Sequence, residues 1–171
     1  ILALRSTLGI PKVEIARARI LDINPSCDVD IRQCFLNNET LDDLVDDQLD
    51  IIVDAIDSVN AKAGLLEKAF HLGIPAVSSM GAGGRLDMGE IRVGDLSESH
   101  NCPLARMIRK RLSRRGIRKG ILCVYSVEDC QNELQPDAQD VEVHDGPGRK
   151  RTPLGSISFM PAAFGLRVAQ T

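Results

Sequence analysis

Apolar and polar positions along the chain follow two periods, one typical of helices and one of buried strands. Between residues 10 and 23 the apolar side chains recur at helical spacing, and Pro11 suits the first turn of a helix. Residues 49–56 are a nearly continuous apolar run, which is typical of a parallel strand buried on both faces, and residues 74–79 predict a second buried strand. Helices that alternate with such strands predict an α/β fold with a mostly parallel sheet.

The remaining segments extend this pattern to the end of the chain. Ser58 is positioned to cap a helix that ends at Gly73, and Pro103 is positioned to begin another that ends near Gly116. Further segments predict strands over 28–36, 86–93 and 121–127, a short acidic helix over 40–45, a long loop over 129–155 and a strand-to-helix element over 157–168.

Length and composition narrow the class of protein. A chain of 171 residues that is 43% hydrophobic and 26% charged fits one globular domain with a real core. With one Tyr, no Trp and four Phe, it can hardly form the aromatic platform on which single-stranded nucleic acids stack. No apolar run approaches the ~18 residues that a membrane span requires.

Charge is distributed far less evenly than the net value of −3 suggests. Residues 37–57 carry eight acidic side chains and no basic one, whereas residues 106–119 carry eight basic side chains and no acidic one. A helix with so many like charges repels itself, and a polyanion would relieve that repulsion. We favour a phosphate-backbone partner over pairing with the acidic segment. The eight candidate contacts are Arg106, Arg109, Lys110, Arg111, Arg114, Arg115, Arg118 and Lys119.

Two acidic residues follow the first buried strand, in the segment Asp54-Ala55-Ile56-Asp57-Ser58. Ligands of open parallel sheets bind outside the carboxyl ends of the strands, so Asp57 is well placed to hold a metal–phosphate group. The alternative is that Asp57 or Ser58 only caps the helix that follows, and position alone does not decide between the two.

Lys12 and a glycine-rich segment are weaker candidates. A lysine in the first turn of a helix opposes the helix dipole but can grip a phosphate there. Gly81-Ala82-Gly83-Gly84 lacks the third glycine and the following helix of a dinucleotide-binding fingerprint, so we interpret it as a tight backbone turn.

The five cysteines include no Cys-x-x-Cys pair, which disfavours a zinc site and a thioredoxin-like site. Reduced thiols in a cytoplasmic protein are the simplest interpretation. Cys123 and Cys130 flank a predicted strand end and could carry a covalent intermediate, although a buried, inert thiol is the favoured interpretation. His71, His100 and His144 lie in unrelated contexts and suggest no catalytic or metal site.

Several of these segments, taken in order, resemble the ThiF/MoeB family of adenylating enzymes. The resemblance runs nearly end to end, so 1–171 is expected to be a single adenylating domain with a Rossmann-like sheet and an antiparallel extension. Within this family, the basic helix, the acidic segment 54–58 and the glycine segment 81–84 resemble the corresponding sequences of the tRNA threonylcarbamoyladenosine dehydratase branch. The matching segments are Leu8-Gly9-Ile10-Pro11-Lys12-Val13-Glu14, Ile23-Asn24-Pro25, Asp54-Ala55-Ile56-Asp57-Ser58, Lys62-Ala63, Gly81-Ala82-Gly83-Gly84 and Gly155-Ser156-Ile157-Ser158-Phe159-Met160-Pro161.

This resemblance implies an ATP-dependent reaction on tRNA. The enzyme would adenylate the threonyl carboxylate of the modified adenosine, and intramolecular attack would then close a ring and expel AMP. Lys12 would hold the ATP phosphates, and Asp57, with Ser58 beside it, would position magnesium and the triphosphate. The resemblance also implies a homodimer, with sulfur-relay proteins as further partners.

The chain also departs from the family pattern. The family's glycine-rich ATP loop, within its first βαβ portion, precedes the position at which this sequence starts, so we expect this polypeptide alone not to bind ATP productively. The paired Cys-x-x-Cys zinc ligands of carrier-protein adenylators are absent, which favours the dehydratase branch. The alternatives are adenylation of a ubiquitin-like sulfur carrier and a non-catalytic dimerisation module.

Overall fold

A four-stranded sheet forms the centre of the computed structural model, which describes residues 4–129 and 155–171. Its strands are β1 (Ile52–Asp54), β2 (Ala76–Ser79), β3 (Ile91–Asp95) and β4 (Leu122–Ser126). The spatial order is β1-β2-β4-β3; the first three of these are mutually parallel, and β3 is antiparallel to β4. The predicted α/β fold, with its mostly parallel sheet and antiparallel extension, is therefore confirmed.

The described ranges contain five α-helices. They are α1 (Lys12–Ile23), α2 (Asn38–Leu44), α3 (Val59–Leu72), α4 (Pro103–Arg114) and α5 (Phe159–Gln170). Single 3-10 turns occur at Arg5–Thr7, Met88–Glu90 and Leu96–Glu98. The helices predicted after Pro11, around residues 40–45, after Ser58 and after Pro103 are all present.

The two faces of the sheet are covered by different helices. On one face, α3 and α4 pack together over a cluster that includes Leu66, Ile108 and Leu112. On the other face, α5 inserts Met160 and Phe164 against β2 and β4. Buried aliphatic side chains on both faces remove apolar surface from water, which is the main driving force for this arrangement.

The ends of α3 and α4 follow from their sequences. Gly73 has a φ of 71°, a left-handed conformation that suits glycine, and its N–H closes the last turn of α3. Pro103 occupies the first turn of α4, where a missing N–H costs nothing. The apolar stripe of α4 is buried at Ala105, Ile108 and Leu112, as its spacing predicts.

Three expectations about the strands were wrong or only partly right. Residues 28–36 form no strand, because no described segment supplies a neighbouring strand to which their backbone could bond. β1 is not buried on both faces, since Val53 remains 60% exposed on the side away from α3. The segment 157–168 contains helix α5 and no strand.

The predicted strand over 86–93 starts later than expected, at Ile91. The Asp87 side chain accepts a hydrogen bond from the Gly89 N–H at 2.7 Å and thereby stabilises the 3-10 turn that precedes β3. The predicted loop over 129–155 lies almost entirely outside the described residues. Among the residues that are described, no helix is both long and apolar enough to cross a membrane.

Replacing Ile108 by alanine is expected to destabilise the fold by about 3 kcal/mol, because it opens a cavity between α4 and the sheet. Met107→Ala is the matched control, since this neighbouring side chain is 46% exposed and its loss is expected to cost about 0.5 kcal/mol or less. Urea denaturation measures both values. Equal costs for the two variants would contradict the packing described here.

Candidate functional site

A row of polar side chains crosses the sheet from the carboxyl end of β1, through β2, to the first half of β4. Asp54 of β1 is the register partner of Ser78 of β2, and Ser78 is the register partner of Cys123 of β4. The Ser78 hydroxyl donates a hydrogen bond of 2.6 Å to Asp54 Oδ2, and all three residues are buried. Register partners on adjacent strands point to the same face of a sheet, which explains this contact.

Lys62 reaches down onto this row from the second turn of α3. Its Nζ lies 2.7 Å from Asp54 Oδ2, and both side chains are 0% exposed. The same Nζ donates to the carbonyl oxygens of Ile56 at 3.0 Å and Ser79 at 2.8 Å. An ammonium group has three protons, so these three acceptors satisfy it completely.

The electrostatics of Lys62 show two opposing effects. Burial lowers the pKa of its ammonium group, because the charged form is poorly solvated in the interior. The Asp54 carboxylate opposes this effect by direct charge attraction and hydrogen bonding, and the Asp57 carboxylate adds a smaller contribution in the same direction.

The structure places Asp57 and Ser58 in the loop between β1 and α3. Asp57 is exposed, as a ligand-binding carboxylate must be, whereas Asp54 is 1% exposed. Ser58 occupies the N-cap position of α3, but its side chain makes no capping hydrogen bond. The interpretation of Ser58 as a side-chain cap is therefore wrong. Its predicted role in cofactor binding stays a prediction, as does the metal-binding role of Asp57.

Lys12 is the first residue of α1 and is exposed to solvent. The residue before it, Pro11, occupies the N-cap position and provides no side-chain cap. The predicted placement at a helix N-terminus is therefore confirmed, while the contact of Lys12 with phosphate stays a prediction.

The glycine segment forms a turn after β2, as predicted. The turn lies at Gly83 and Gly84, Gly84 has a φ of 66°, and its N–H donates to the Gly155 carbonyl at 2.8 Å. The next helical element is a single 3-10 turn, so the segment is not a dinucleotide-binding fingerprint.

A second buried cation lies beyond this turn. Arg85 is 2% exposed, and its guanidinium donates to the carbonyl oxygens of Asn101, at 2.6 Å, and Glu128. The Glu128 carboxylate in turn accepts the backbone N–H groups of Leu86 and Asp87. These contacts tie the segment after the glycine turn to the end of β4.

Sequence reasoning missed the structural roles of Asp54, Lys62 and Arg85. A signal existed for two of them, since Asp54 interrupts an apolar run and Lys62 shares a helix face with Leu66 and Ala69. A charged residue at such a position is buried and therefore paired. We found no corresponding signal for Arg85.

The basic residues of α4 and the following loop divide into two groups. Arg109 turns inward and donates to the Ser99 carbonyl and hydroxyl, both at 2.6 Å, and Arg115 pairs with Glu67 on α3. The other six are exposed, and none forms an ion pair with a described residue. We call this group the cationic surface: Arg106, Lys110, Arg111, Arg114, Arg118 and Lys119.

No described member of the basic block pairs with the acidic segment 37–57. The ion pairs of that segment are formed by Lys62 and Lys68 of α3, the latter with Asp42 at 2.7 Å. The alternative explanation for the basic block is thus wrong within the described residues. The predicted contact of Arg109 and Arg115 with a polyanion stays a prediction, although Arg109 already bonds to Ser99 and Arg115 to Glu67.

The thiols and histidines add little chemistry here. Cys123 is fully buried, and burial raises the pKa of its thiol to about 12, which supports the inert interpretation. His100 is in edge contact with Tyr125, and His71 with Phe70. Cys130 and His144 lie outside the described residues.

A magnesium ion bound near Asp57, in the loop between β1 and α3, would need phosphate oxygens as further ligands. The described residues contain no cluster of three or more His, Cys, Asp or Glu side chains placed to hold a metal. Mg²⁺ is usually bound by one or two carboxylates together with water and substrate phosphates. The exposed Asp57 carboxylate could supply one such ligand. The described residues do not provide a metal site built from protein ligands alone.

Comparison with known proteins places these features in a family. The ThiF family profile matches residues 1–171. The tRNA threonylcarbamoyladenosine dehydratase of Bacillus subtilis is 34% identical over 96% of this chain, and tRNA threonylcarbamoyladenosine dehydratase 2 of Saccharomyces cerevisiae is 41% identical over 97% of it. The chain spans 65% and 40% of these relatives, respectively.

Solved structures agree with this match. The crystal structure of Escherichia coli tRNA N6-threonylcarbamoyladenosine dehydratase, TcdA, in complex with ATP superimposes with a TM-score of 0.80 at 32% identity. The complex of the same protein with AMP gives a TM-score of 0.82 at 31% identity. Each comparison covers 99% of this chain and 65% of the solved one. The chain belongs to the ThiF family.

Proposed function

We propose that this chain is the adenylating portion of an ATP-dependent tRNA threonylcarbamoyladenosine dehydratase. The observation that carries the proposal is the chain-long similarity to TcdA, which has been crystallised with both ATP and AMP. Those two nucleotides are the co-substrate and the by-product of an adenylation that ends in AMP release. The domain assignment, 1–171 as one adenylating unit, is part of the same proposal.

The chemistry requires activation of a poor electrophile. A carboxylate oxygen of the threonyl group attacks the α-phosphorus of ATP. A new P–O bond forms there, and the bond from the α-phosphorus to pyrophosphate breaks. Attack within the substrate on the activated carbonyl then closes a ring and releases AMP. Negative charge accumulates on the phosphates during the first step, so fixed cations near them lower the barrier.

Lys12 and Asp57 are our candidates for the catalytic contacts of this step. Lys12 at the start of α1 would hold phosphate oxygens, where the helix N-terminus also favours an anion. Asp57 would ligate magnesium at the edge of the sheet, with Ser58 beside it. Bound magnesium would neutralise phosphate charge and orient the triphosphate.

The cationic surface is our candidate for the tRNA contact. Its six side chains come from α4 and the loop that follows, and among the described residues they have no acidic partner. Aromatic residues are few in the chain, so this surface suits the phosphate backbone better than unstacked bases. Recognition of the modified nucleotide would then fall to the site itself.

The oligomeric state, the cellular location and the protein partners follow from the same family proposal. We infer a homodimer in the cytoplasm, and we include sulfur-relay proteins among its possible partners on the basis of the resemblance alone. Adenylation of a sulfur-carrier protein is the competing outcome of the experiments below.

The first prediction concerns turnover. The chain, extended to the full length of its relatives, is expected to release AMP from ATP only with tRNA that bears threonylcarbamoyladenosine. Asp57→Asn should lower this rate by about a hundredfold or more, because it removes a charge that holds the metal and phosphates. Asp87→Asn is the control, an exposed acid beyond the glycine turn.

Release of AMP is followed by chromatography. Turnover that ignores this tRNA but responds to a carrier protein would move the assignment to the competing function. A fully active Asp57→Asn variant would overturn the role given to this residue.

The second prediction concerns tRNA binding. The double substitution Lys110→Ala/Arg114→Ala is expected to make the log–log plot of affinity against salt concentration shallower by about 1.4 to 1.8 units, since each phosphate contact contributes roughly 0.7 to 0.9. Arg32→Ala/Arg167→Ala removes the same charge from exposed positions elsewhere. Fluorescence anisotropy with labelled tRNA measures both slopes, and equal slopes would contradict a localised cationic contact.

A further inference from the structure

The backbone around the proposed metal ligand is held by an unusual arrangement. Ile56, the residue directly before Asp57, is bonded at both of its backbone groups: its N–H donates to Asp54 Oδ1 at 2.9 Å, and its carbonyl accepts from Lys62 Nζ at 3.0 Å. A residue in a connecting loop ordinarily relies on water for such bonds. Here the buried ion pair supplies both, so the loop has little freedom to move at this point.

Lys62 extends the same restraint to a second segment. Its Nζ also donates to the carbonyl of Ser79, the last residue of β2, at 2.8 Å. The chain continues from Ser79 through Met80 directly into the glycine turn. One ammonium group therefore bonds to both the loop that carries Asp57 and the strand end that leads into this turn.

The orientation of Lys62 is itself fixed. Asp54 Oδ2 binds both the Lys62 ammonium and the Ser78 hydroxyl, and Asp54 Oδ1 binds Ile56. Lys62 is 0% exposed, so it cannot touch a ligand at the edge of the sheet. Any effect that it has on the reaction must pass through the two segments that it holds.

We propose that Lys62 and Asp54 are positioning residues, which set the Asp57 carboxylate at a fixed distance and orientation relative to the glycine turn. This inference rests on the proposed function of Asp57. An apolar pair of similar size could fill the same space, and such replacements are often neutral for stability. The ion pair is therefore better explained by the carbonyl groups that it orients than by stabilisation of the core.

Hydrogen–deuterium exchange tests the restraint without any activity. In the unmodified protein the Ile56 amide is expected to exchange as slowly as the amides of β1. In the charge-balanced variant Asp54→Asn/Lys62→Met, exchange at residues 56–58 and 80–84 is expected to accelerate while the core strands stay protected. Lys68→Met is the matched control, because this lysine lies on the same helix but pairs with Asp42, away from the loop.

Kinetics of the extended, active protein test the consequence for the reaction. The double variant is expected to lose about tenfold or more in kcat, because small displacements of reacting groups are costly, while KM for ATP changes much less. Lys62→Arg, which keeps the charge and the donors, should recover part of the loss. Lys68→Met should leave both parameters unchanged.

The outcomes separate this inference from the proposed function. An unprotected Ile56 amide in the unmodified protein would overturn the inference, and this measurement needs no variant to fold. Unaltered loop exchange or an unaltered kcat in the folded double variant would overturn it too. Absence of turnover in the unmodified, extended protein would instead refute the proposed function, whatever the exchange data show.

Discussion

The buried ion pair between Lys62 and Asp54 is the interaction on which the rest of the site depends. Removing two charges from water costs several kcal/mol for each ion, and their attraction offsets this only when every donor and acceptor is satisfied. This condition is met here, because the Lys62 ammonium has three acceptors and the Asp54 carboxylate also accepts hydrogen bonds from Ser78 and Ile56. Loss of either partner alone would leave an uncompensated buried charge, which typically costs about 3 to 5 kcal/mol. The pair therefore tolerates only one arrangement of the segments around it.

That requirement determines how α3 lies on the sheet. Lys62 can meet Asp54 only if the second turn of α3 stands over the carboxyl ends of β1 and β2, and Leu66, one turn later, then contributes to the core beneath the helix. On the opposite face α5 packs on Val77 and Val124 in an apolar cluster. Apolar contacts tolerate small shifts better than a saturated hydrogen-bond network does. The polar network thus fixes the geometry of the site, and the apolar clusters supply most of the stability.

Sequence patterns correctly predicted those helices and strands that pack against or pair with other described residues. The helices after Pro11, Ser58 and Pro103 have local start signals, and β2 and β4 are largely buried because helices cover both faces of the sheet there. Residues 28–36 have the alternation of a strand, but alternation does not supply a neighbouring strand, and none is found among the described residues. In the candidate site, the motif around Asp54 predicted that Asp57 lies between β1 and α3, where the structure has it, while the contact of Asp54 with Ser78 could not be deduced because it depends on strand register. Likewise, composition identified the basic block, but only the fold shows that Arg109 bonds inward to Ser99.

The chain thus uses its cations in two different ways, and solvent exposure separates them. Lys62 and Arg85 are buried and bond to carbonyl oxygens at the edge of the sheet, so they shape the backbone and are hidden from a ligand. The cationic surface is exposed, and charges there act only over the screening length of about 8 Å at physiological salt. A polyanion near α4 therefore responds to six nearby cations and hardly to the acidic residues elsewhere that make the net charge −3. This is why an acidic protein can present a surface suited to nucleic acid, and why its net charge is a poor guide to its partners.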